Sequence, residues 1–266
     1  MDRIVARAHL NLVESSRHLF ELDSGATVEA DDGCLLGAGS SENPAISNAA
    51  FRVDDMLDPA ELLRRAREFF GARGRGFSLW TRGDRPEDRD LLEVAGEEGL
   101  NPFFEMPEMV MARRAEQTPL PDGIELRRLE RAEEAADYWR VAREAYVSIG
   151  FPPEVFDHYD DHAGLVAENA VALLAYRGAE PLAIAMTIVT DGVAGIYWVG
   201  TADGARGKGL GRAITAAAVN AGFDLGADLT SLQASPMGEP IYRTMGFETI
   251  YDYRLLMAAA PQETGI

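Results

Sequence analysis

The chain has 266 residues, 47% of them apolar, with 25 basic against 44 acidic side chains and a formal charge of −19. That length accommodates two domains with proper cores, while an acidic balance in both halves excludes the basic face a nucleic-acid binder needs. A single cysteine, Cys34, excludes an internal disulfide and points to a reducing compartment. No apolar run nears the roughly 20 residues that span a bilayer, and Met1 to Arg7 lack the apolar core of a secretory signal. A cytoplasmic protein without nucleic-acid or membrane partners is expected.

In chain order, residues 3–22 read as an amphipathic helix with Ile4, Ala8, Leu12, Leu19 and Leu22 broadly on one face. Short strands are predicted at 26–30, 34–37 and 47–53. Asp58-Pro59 opens a helix through Phe70, with Asp as cap and Pro in the first turn. A strand over 77–81, a helix over 85–98 and a strand over 108–112 follow. The polar segment 115–123, with Pro119 and Pro121, is the best linker, dividing a unit over 1–118 from one over 124–260. The second unit opens with a strand at 124–129 and a helix at 132–148. Strands at 170–177 and 181–190 join at Gly178-Ala179 as an antiparallel hairpin. A strand at 195–201, a helix at 212–225, a strand at 230–234, a short helix at 240–245 and a strand at 249–257 complete the chain. Each unit thus runs helix, strand, helix, final strand, and Glu98-Gly99-Leu100 echoes Met245-Gly246-Phe247. A tandem duplication with one half altered explains both.

Between the strand ending at Thr201 and its helix lies Arg206-Gly207-Lys208-Gly209-Leu210-Gly211-Arg212, holding the only lysine of the chain. Glycines let backbone approach a ligand closely, successive amides there can cradle phosphate oxygens, and a helix N-terminus favours an anion. The spacing is not the dinucleotide G-x-G-x-x-G, and Lys208 is not followed by the serine or threonine of a P-loop. A ligand-free strand-to-helix turn is the plain alternative.

Arg206, Gly209 and Gly211, followed by Tyr242 shortly before Gly246-Phe247, resemble the GNAT superfamily of acyl-CoA-dependent N-acyltransferases over residues 124–258. The resemblance implies an α/β fold of two GNAT-like units, each a mostly antiparallel central sheet flanked by helices. It implies acetyl-CoA as acyl donor and no metal. Val199, Gly200 and Thr201 would pair with the pantetheine arm at a bulged, splayed strand. The amides from Gly207 through Lys208, Gly209 and Leu210 to Gly211 would hold the pyrophosphate, with charge from Arg206, Lys208 and Arg212. Ser235 stands where many relatives carry an asparagine that contacts the cofactor. Tyr242 matches the usual general acid, and an amide of Val199 or Gly200 would polarise the thioester carbonyl.

No general base is evident, because residues 182–190 contain no acid where many relatives carry glutamate. The resemblance puts Glu154, Asp157, Asp160 and Asp161 in the region that usually lines the acceptor entrance, where they could attract a cationic amine, but on an acidic protein a solvated charge run is the preferred reading. His158 and His162 stand four apart, but no third metal ligand accompanies them. Tyr197 and Trp198 alternate on a strand; core packing explains both, and one of them can face the acceptor. In the first half the counterpart of the glycine loop is Phe51–Pro59, where Asp54, Asp55 and Asp58 would repel phosphates; no CoA binding is expected there. That half is expected to support the fold, cap the acceptor cleft or form a homodimer surface. The function expected is acetyl transfer to a primary amine, on a small molecule or a peptide, by direct attack. The alternative is a non-catalytic acyl-CoA sensor or interaction module.

Overall fold

The apolar rhythm at the start of the chain folds as helix α1 (Asp2–Glu21), burying Val5, Ala8, Leu12 and Val13 alongside the polar His9, Asn11 and Ser15. Strands β1 (Thr27–Asp31), β2 (Cys34–Ala38) and β3 (Asn48–Arg52) follow. Helix α2 (Pro59–Gly71) starts where the Asp58-Pro59 pair predicts. The Asp58 carboxylate accepts from the Glu61 amide at 3.1 Å, and proline occupies the first turn, where its missing N–H costs nothing. β4 (Phe77–Thr81), α3 (Arg89–Glu97) and β5 (Asn101–Met111) complete the first half. The second half contains β6 (Ile124–Arg128), α4 (Ala135–Val147), β7 (Ala170–Arg177), β8 (Glu180–Thr190), β9 (Val193–Thr201) and α5 (Leu210–Asp224). It closes with β10 (Leu229–Gln233), α6 (Glu239–Met245) and β11 (Glu248–Ala258). The computed structural model describes residues 2–31, 33–131, 134–159 and 163–261.

Two elements depart from the sequence expectation. β5 begins seven residues before the predicted strand, in a stretch containing Pro102 and Pro107 whose first five residues are exposed. Its order comes from backbone pairing with β11, from Asn101↔Met257 to Val110↔Glu248, which hydrophobic alternation does not report. Helix α3 starts later than residue 85 because Asp88 is drawn beneath β4. Its carboxylate takes the Arg82 backbone N–H at 2.7 Å and the Arg82 guanidinium through Nε at 2.9 Å and Nη2 at 2.7 Å. The predicted start of the next helix, at Ala132, lies outside the described residues.

All strands join one mixed sheet in the order β1-β2-β3-β4-β11-β5-β10-β9-β8-β7-β6. Among the described residues only β3–β4 and β9–β10 pair in parallel. The fold is thus the expected mixed α/β sheet flanked by helices, and its halves interlock. β11, last strand of the second half, lies between β4 and β5, while β5, last strand of the first half, lies between β11 and β10. Strand alternation then sends side chains to two faces. One face packs α1 and α4 over a core that includes Leu12, Tyr138, Leu174, Ile184 and Tyr253. The opposite face packs α5 over Met109, Val171 and Ala185, and α2 with α3 over Leu36, Leu79 and Leu256. Each fully buried leucine there contributes about 1.5–3 kcal/mol.

Candidate active site

β9 and β10 part company along their length. They pair only at Val193, Ala194 and Gly195 with Leu229, Thr230 and Ser231, after which β10 turns fully to β5, from Thr230↔Met111 to Gln233↔Glu108. Ile196–Thr201 therefore have no strand partner on their β10 side, and a V opens with Gly195 and Ser231 at its apex. The twist that opens it is visible at Trp198, whose φ of 48° is left-handed, and in the register shift between Ile184 and Met186 on β8. A bulky residue adopts that φ only where its surroundings hold it. Trp198 is held by T-shaped contacts with Trp139, Tyr146, Phe156 and Tyr159 at centroid distances of 5.0–5.8 Å. Beyond the bulge, Val199, Gly200 and Thr201 form the edge that the sequence assigns to a pantetheine arm. The Val199 carbonyl accepts from the Tyr146 hydroxyl at 3.3 Å.

The glycine loop sits at the open end of β9. Gly207 and Gly209 have φ of 72° and 80°, a region closed to most side chains, and a Cβ on either would meet nothing within 4 Å. The space in front of the backbone is therefore open. Gly209 caps α5 with no side-chain bond, and the amides of residues 207–212 have no protein acceptor among the described residues. Six consecutive free donors at the N-terminus of a 15-residue helix make an anion cradle.

The cations predicted around this loop have different attachments. Arg206 is tied inward: Nε donates to the Thr201 carbonyl at 3.2 Å, while Nη2 donates to the Ala145 carbonyl at 3.0 Å and Ser148 Oγ at 2.6 Å. It fastens the loop to the end of α4, helped by Glu144, which accepts from the Asp203 amide at 3.0 Å. Arg212 reaches Thr244 Oγ1 on α6 at 2.8 Å. Lys208 is exposed, with Nζ on the Gly204 carbonyl at 2.8 Å. Ser235 is used locally, its hydroxyl accepting from the Gly238 amide at 3.2 Å in the turn before α6.

Tyr242, on α6, packs against the core beneath α5 with its ring 5.9 Å from Phe247. Burial pushes its phenol up to about 12, only partly offset by the Thr215 hydroxyl, so it stays protonated at neutral pH. Tyr197 is buried and donates to Asn11 Oδ1 of α1 at 2.9 Å, so α1 of the first half closes this part of the second. A Cβ at Gly195 would overlap Asn11 and the Tyr197 hydroxyl, which is why a glycine stands at the apex.

Other predicted groups lie apart. Asp157 pairs with Arg143, and Glu154 and His158 are exposed. Asp160, Asp161 and His162 lie outside the described residues. Among the described residues no three His, Cys, Asp or Glu side chains gather as metal ligands, and no helix is long and apolar enough to cross a membrane. In the first half, the aspartates of the 51–59 segment serve their own surroundings. Asp54 accepts from the Met56 amide at 2.9 Å, Asp55 from Arg82 at 2.6 Å, and Asp58 caps α2.

The acid that sequence reasoning did not find is Glu108. It lies on β5, opposite Gln233 of β10 and Tyr251 of β11, and is 0% exposed. Its Oε2 accepts from Gln233 Nε2 at 2.6 Å, while Oε1 has no partner. Burial raises its carboxyl to about 8 against the opposing effect of Gln233 and Ser231.

Residues 111–234 match the sequence profile of a family described as an acetyltransferase (GNAT) domain. No curated protein sequence matches the chain. Among solved structures, a GCN5-related N-acetyltransferase from Kribbella flavida aligns over 97% of this chain and 97% of its own, with a TM-score of 0.72 at 20% identity. Another from Sphaerobacter thermophilus covers 98% of this chain and 92% of its own, with a TM-score of 0.65 at 13% identity. A tandem GNAT protein from the clavulanic acid biosynthesis pathway covers 90% and 84%, with a TM-score of 0.60 at 12% identity. At these identities the likeness is one of fold. Residues 111–234 therefore match the GNAT acetyltransferase family, and the chain as a whole carries the fold seen in GCN5-related N-acetyltransferases.

Proposed function

We propose that the chain transfers an acetyl group from acetyl-CoA to a primary amine by direct attack, using only the second half as cofactor site. The carrying observation is that the unpaired β9 edge at Val199–Thr201 leads directly into six free amides at residues 207–212. One ligand with an amide-bearing arm and a pyrophosphate satisfies both. The residues fit that group: the loop would donate to the phosphates, exposed Lys208 can swing toward them, Arg212 adds positive potential, and Arg206, whose charge is paired with Asp203, fixes the loop. In the first half Asp54 accepts from the Met56 amide and Asp58 from the Glu61 amide, so carboxylates already take donors where α2 begins, which disfavours an anion there.

Acetyl-CoA supplies an acyl group activated as a thioester. The chain's contribution is to align it along β9, to present backbone N–H near Val199 and Gly200 to the developing oxyanion, and to hold a proton on Tyr242 for the departing sulfur. The Tyr242 phenol is protonated at neutral pH, the form that a donor to the departing sulfur requires.

The test is acetyl-CoA-dependent thiol release across amino acids, polyamines, aminoglycosides, peptide N-termini and protein lysines. Tyr242→Phe should lower turnover about 100-fold or more while acetyl-CoA affinity stays within a few-fold. Unchanged turnover in that variant would remove Tyr242 from the mechanism. Binding without release for every amine would favour the sensor reading.

A further inference from the structure

At the apex of the V, polar atoms converge on the α1 side of the sheet. Ser231 and Gln233 share one face of β10, Glu108 stands opposite Gln233, and Tyr197 is two residues beyond Gly195 on β9. Three buried side-chain oxygens here have no hydrogen-bond partner: Glu108 Oε1, Ser231 Oγ and, on α1, Ser15 Oγ. Ser231 is close enough to the Glu108 carboxyl to favour its ionised form, and Ser15 does the same for Tyr197, yet neither pair closes a bond of normal geometry. Buried orphan oxygens are costly, about 1–3 kcal/mol each, and three in one cluster call for a use.

Resting on the acetyl-transfer reading, we propose that the first half supplies the proton acceptor of the site: Glu108, on the strand lent to the second half, receives the amine's proton through the Ser231 hydroxyl. As nitrogen bonds to the acyl carbon, one N–H bond breaks. Its proton passes to Ser231 Oγ while the Ser231 proton moves to Glu108 Oε1. The C–S bond breaks with transfer of the Tyr242 phenolic proton to sulfur. Glu108 ends protonated and Tyr242 ionised; once the products leave, Glu108 returns its proton through the Ser231 hydroxyl to the vacated V, and Tyr242 takes one up there before the next turnover. Gln233 fixes the carboxylate by holding Oε2, leaving Oε1 for Ser231.

The groups facing Glu108 make the titration readable. From β9 comes Tyr197, from β11 Tyr251 and Tyr253, and from β10 Ser231 and Gln233; the three phenols are held protonated by burial. His9 of α1 bonds Tyr253 and is neutral at pH 7, and Arg82 with Asp88, a mutually paired couple, act on Tyr251 and Tyr253. No unpaired charge adjoins the carboxyl among the described residues, which titrates near 8 because it is dry. Glu108 is a positioning residue in the sense that it acts through Ser231, so a purely structural role must be separated by pH.

The experiment compares wild type, Glu108→Gln and Ser231→Ala with the most active amine of the release screen, from pH 6 to 9. Dividing wild-type by Glu108→Gln rates cancels the titration of the amine itself. The expected ratio climbs with pH and levels off above about 8 at no less than about 100-fold, with Ser231→Ala showing a similar loss. Acetyl-CoA affinity and thermal unfolding at pH 6 should stay close to wild type in both variants, since Gln keeps the size of the protonated carboxyl. A flat ratio, or Glu108→Gln turnover within a few-fold of wild type, overturns the proposal while leaving acetyl transfer intact. Wild-type protein that releases no CoA with any amine overturns both.

Discussion

Gln233 donates its side-chain amide to Glu108 at 2.6 Å, and this bond ties β10 of the second half to β5 of the first. Glu108 is buried and Gln233 half-buried on the face the two strands share, so the first half does more than lie beside the half that carries the glycine loop. It contributes β5, the strand directly behind the β10 wall of the V, and the acid that strand carries. The interlocked order β4-β11-β5-β10 is what brings the acid there.

Stability should report Glu108 through pH. Its folded pKa of about 8 stands above the ordinary carboxyl value of 4.5, so the folded state binds the extra proton. The stabilisation is complete below about 4.5 and is lost as pH rises through about 8, at about 1.4 kcal/mol for each pKa unit separating the two states. Glu108→Gln should flatten this decline and unfold at higher temperature than wild type at pH 8.5. Equal pH slopes for the two proteins would show that the carboxyl is not held protonated by the fold.

His9 acts with the opposite sign. Its Nε2 lies 2.7 Å from the Arg52 carbonyl, which can only accept, so Nδ1 is the acceptor for Tyr253 at 2.9 Å. Burial first, and then the Arg82 charge, lower its pKa to about 4 from 6.5. The folded state therefore excludes a proton, and stability present above 6.5 is lost as pH falls toward 4. Tyr253→Phe leaves Nδ1 without its donor and Tyr251 without its acceptor. Chemical denaturation at pH 7 should find that variant about 1–3 kcal/mol less stable. A smaller change than about 0.5 kcal/mol would mean that water replaces the phenol there.

The glycine turn before α5 and most elements were legible in the sequence because their determinants are local. Asp58-Pro59 caps a helix wherever it stands, Gly178-Ala179 turns a hairpin, and left-handed backbone at Gly207 and Gly209 demands glycine. Glu108 was not legible. Its strand contains two prolines and an exposed first half, and nothing local states that β5 will pair with β10 across more than 120 residues. Residues 182–190, where many relatives carry a base, lie in the half with the glycine loop, whereas the buried acid comes from the other half. Arg206 shows the converse: its type matched the motif, but its guanidinium is bound to α4 and β9.

Gly209 offers a test that separates conformation from charge. At φ 80° a side chain costs about 1–2 kcal/mol, so Gly209→Ala should lose some stability and weaken acetyl-CoA binding modestly. Gly209→Asp adds a carboxylate beside the free amides of residues 207–212, where it competes for the same donors and repels phosphate. Calorimetry should show binding abolished in the Asp variant and retained, with lower affinity, in the Ala variant. Tight binding by Gly209→Asp would place the pyrophosphate elsewhere.

The interlocked sheet also predicts how the chain divides. Residues 1–118 alone lack β11, which leaves β4 without a neighbour on one side and β5 without either of its partners. Residues 119–266 alone leave β10 and β11 unable to reach each other, since β5 belongs between them. Long unpaired strand edges are unstable and aggregate. Neither fragment should show a cooperative thermal transition by itself, whereas the two co-expressed should copurify and bind acetyl-CoA at one site per pair. A cooperative transition in residues 1–118 alone would show that the first half is an independent folding unit and that β11 adds little to it. Two binding sites per pair would restore a cofactor role to the 51–59 segment, against its aspartates.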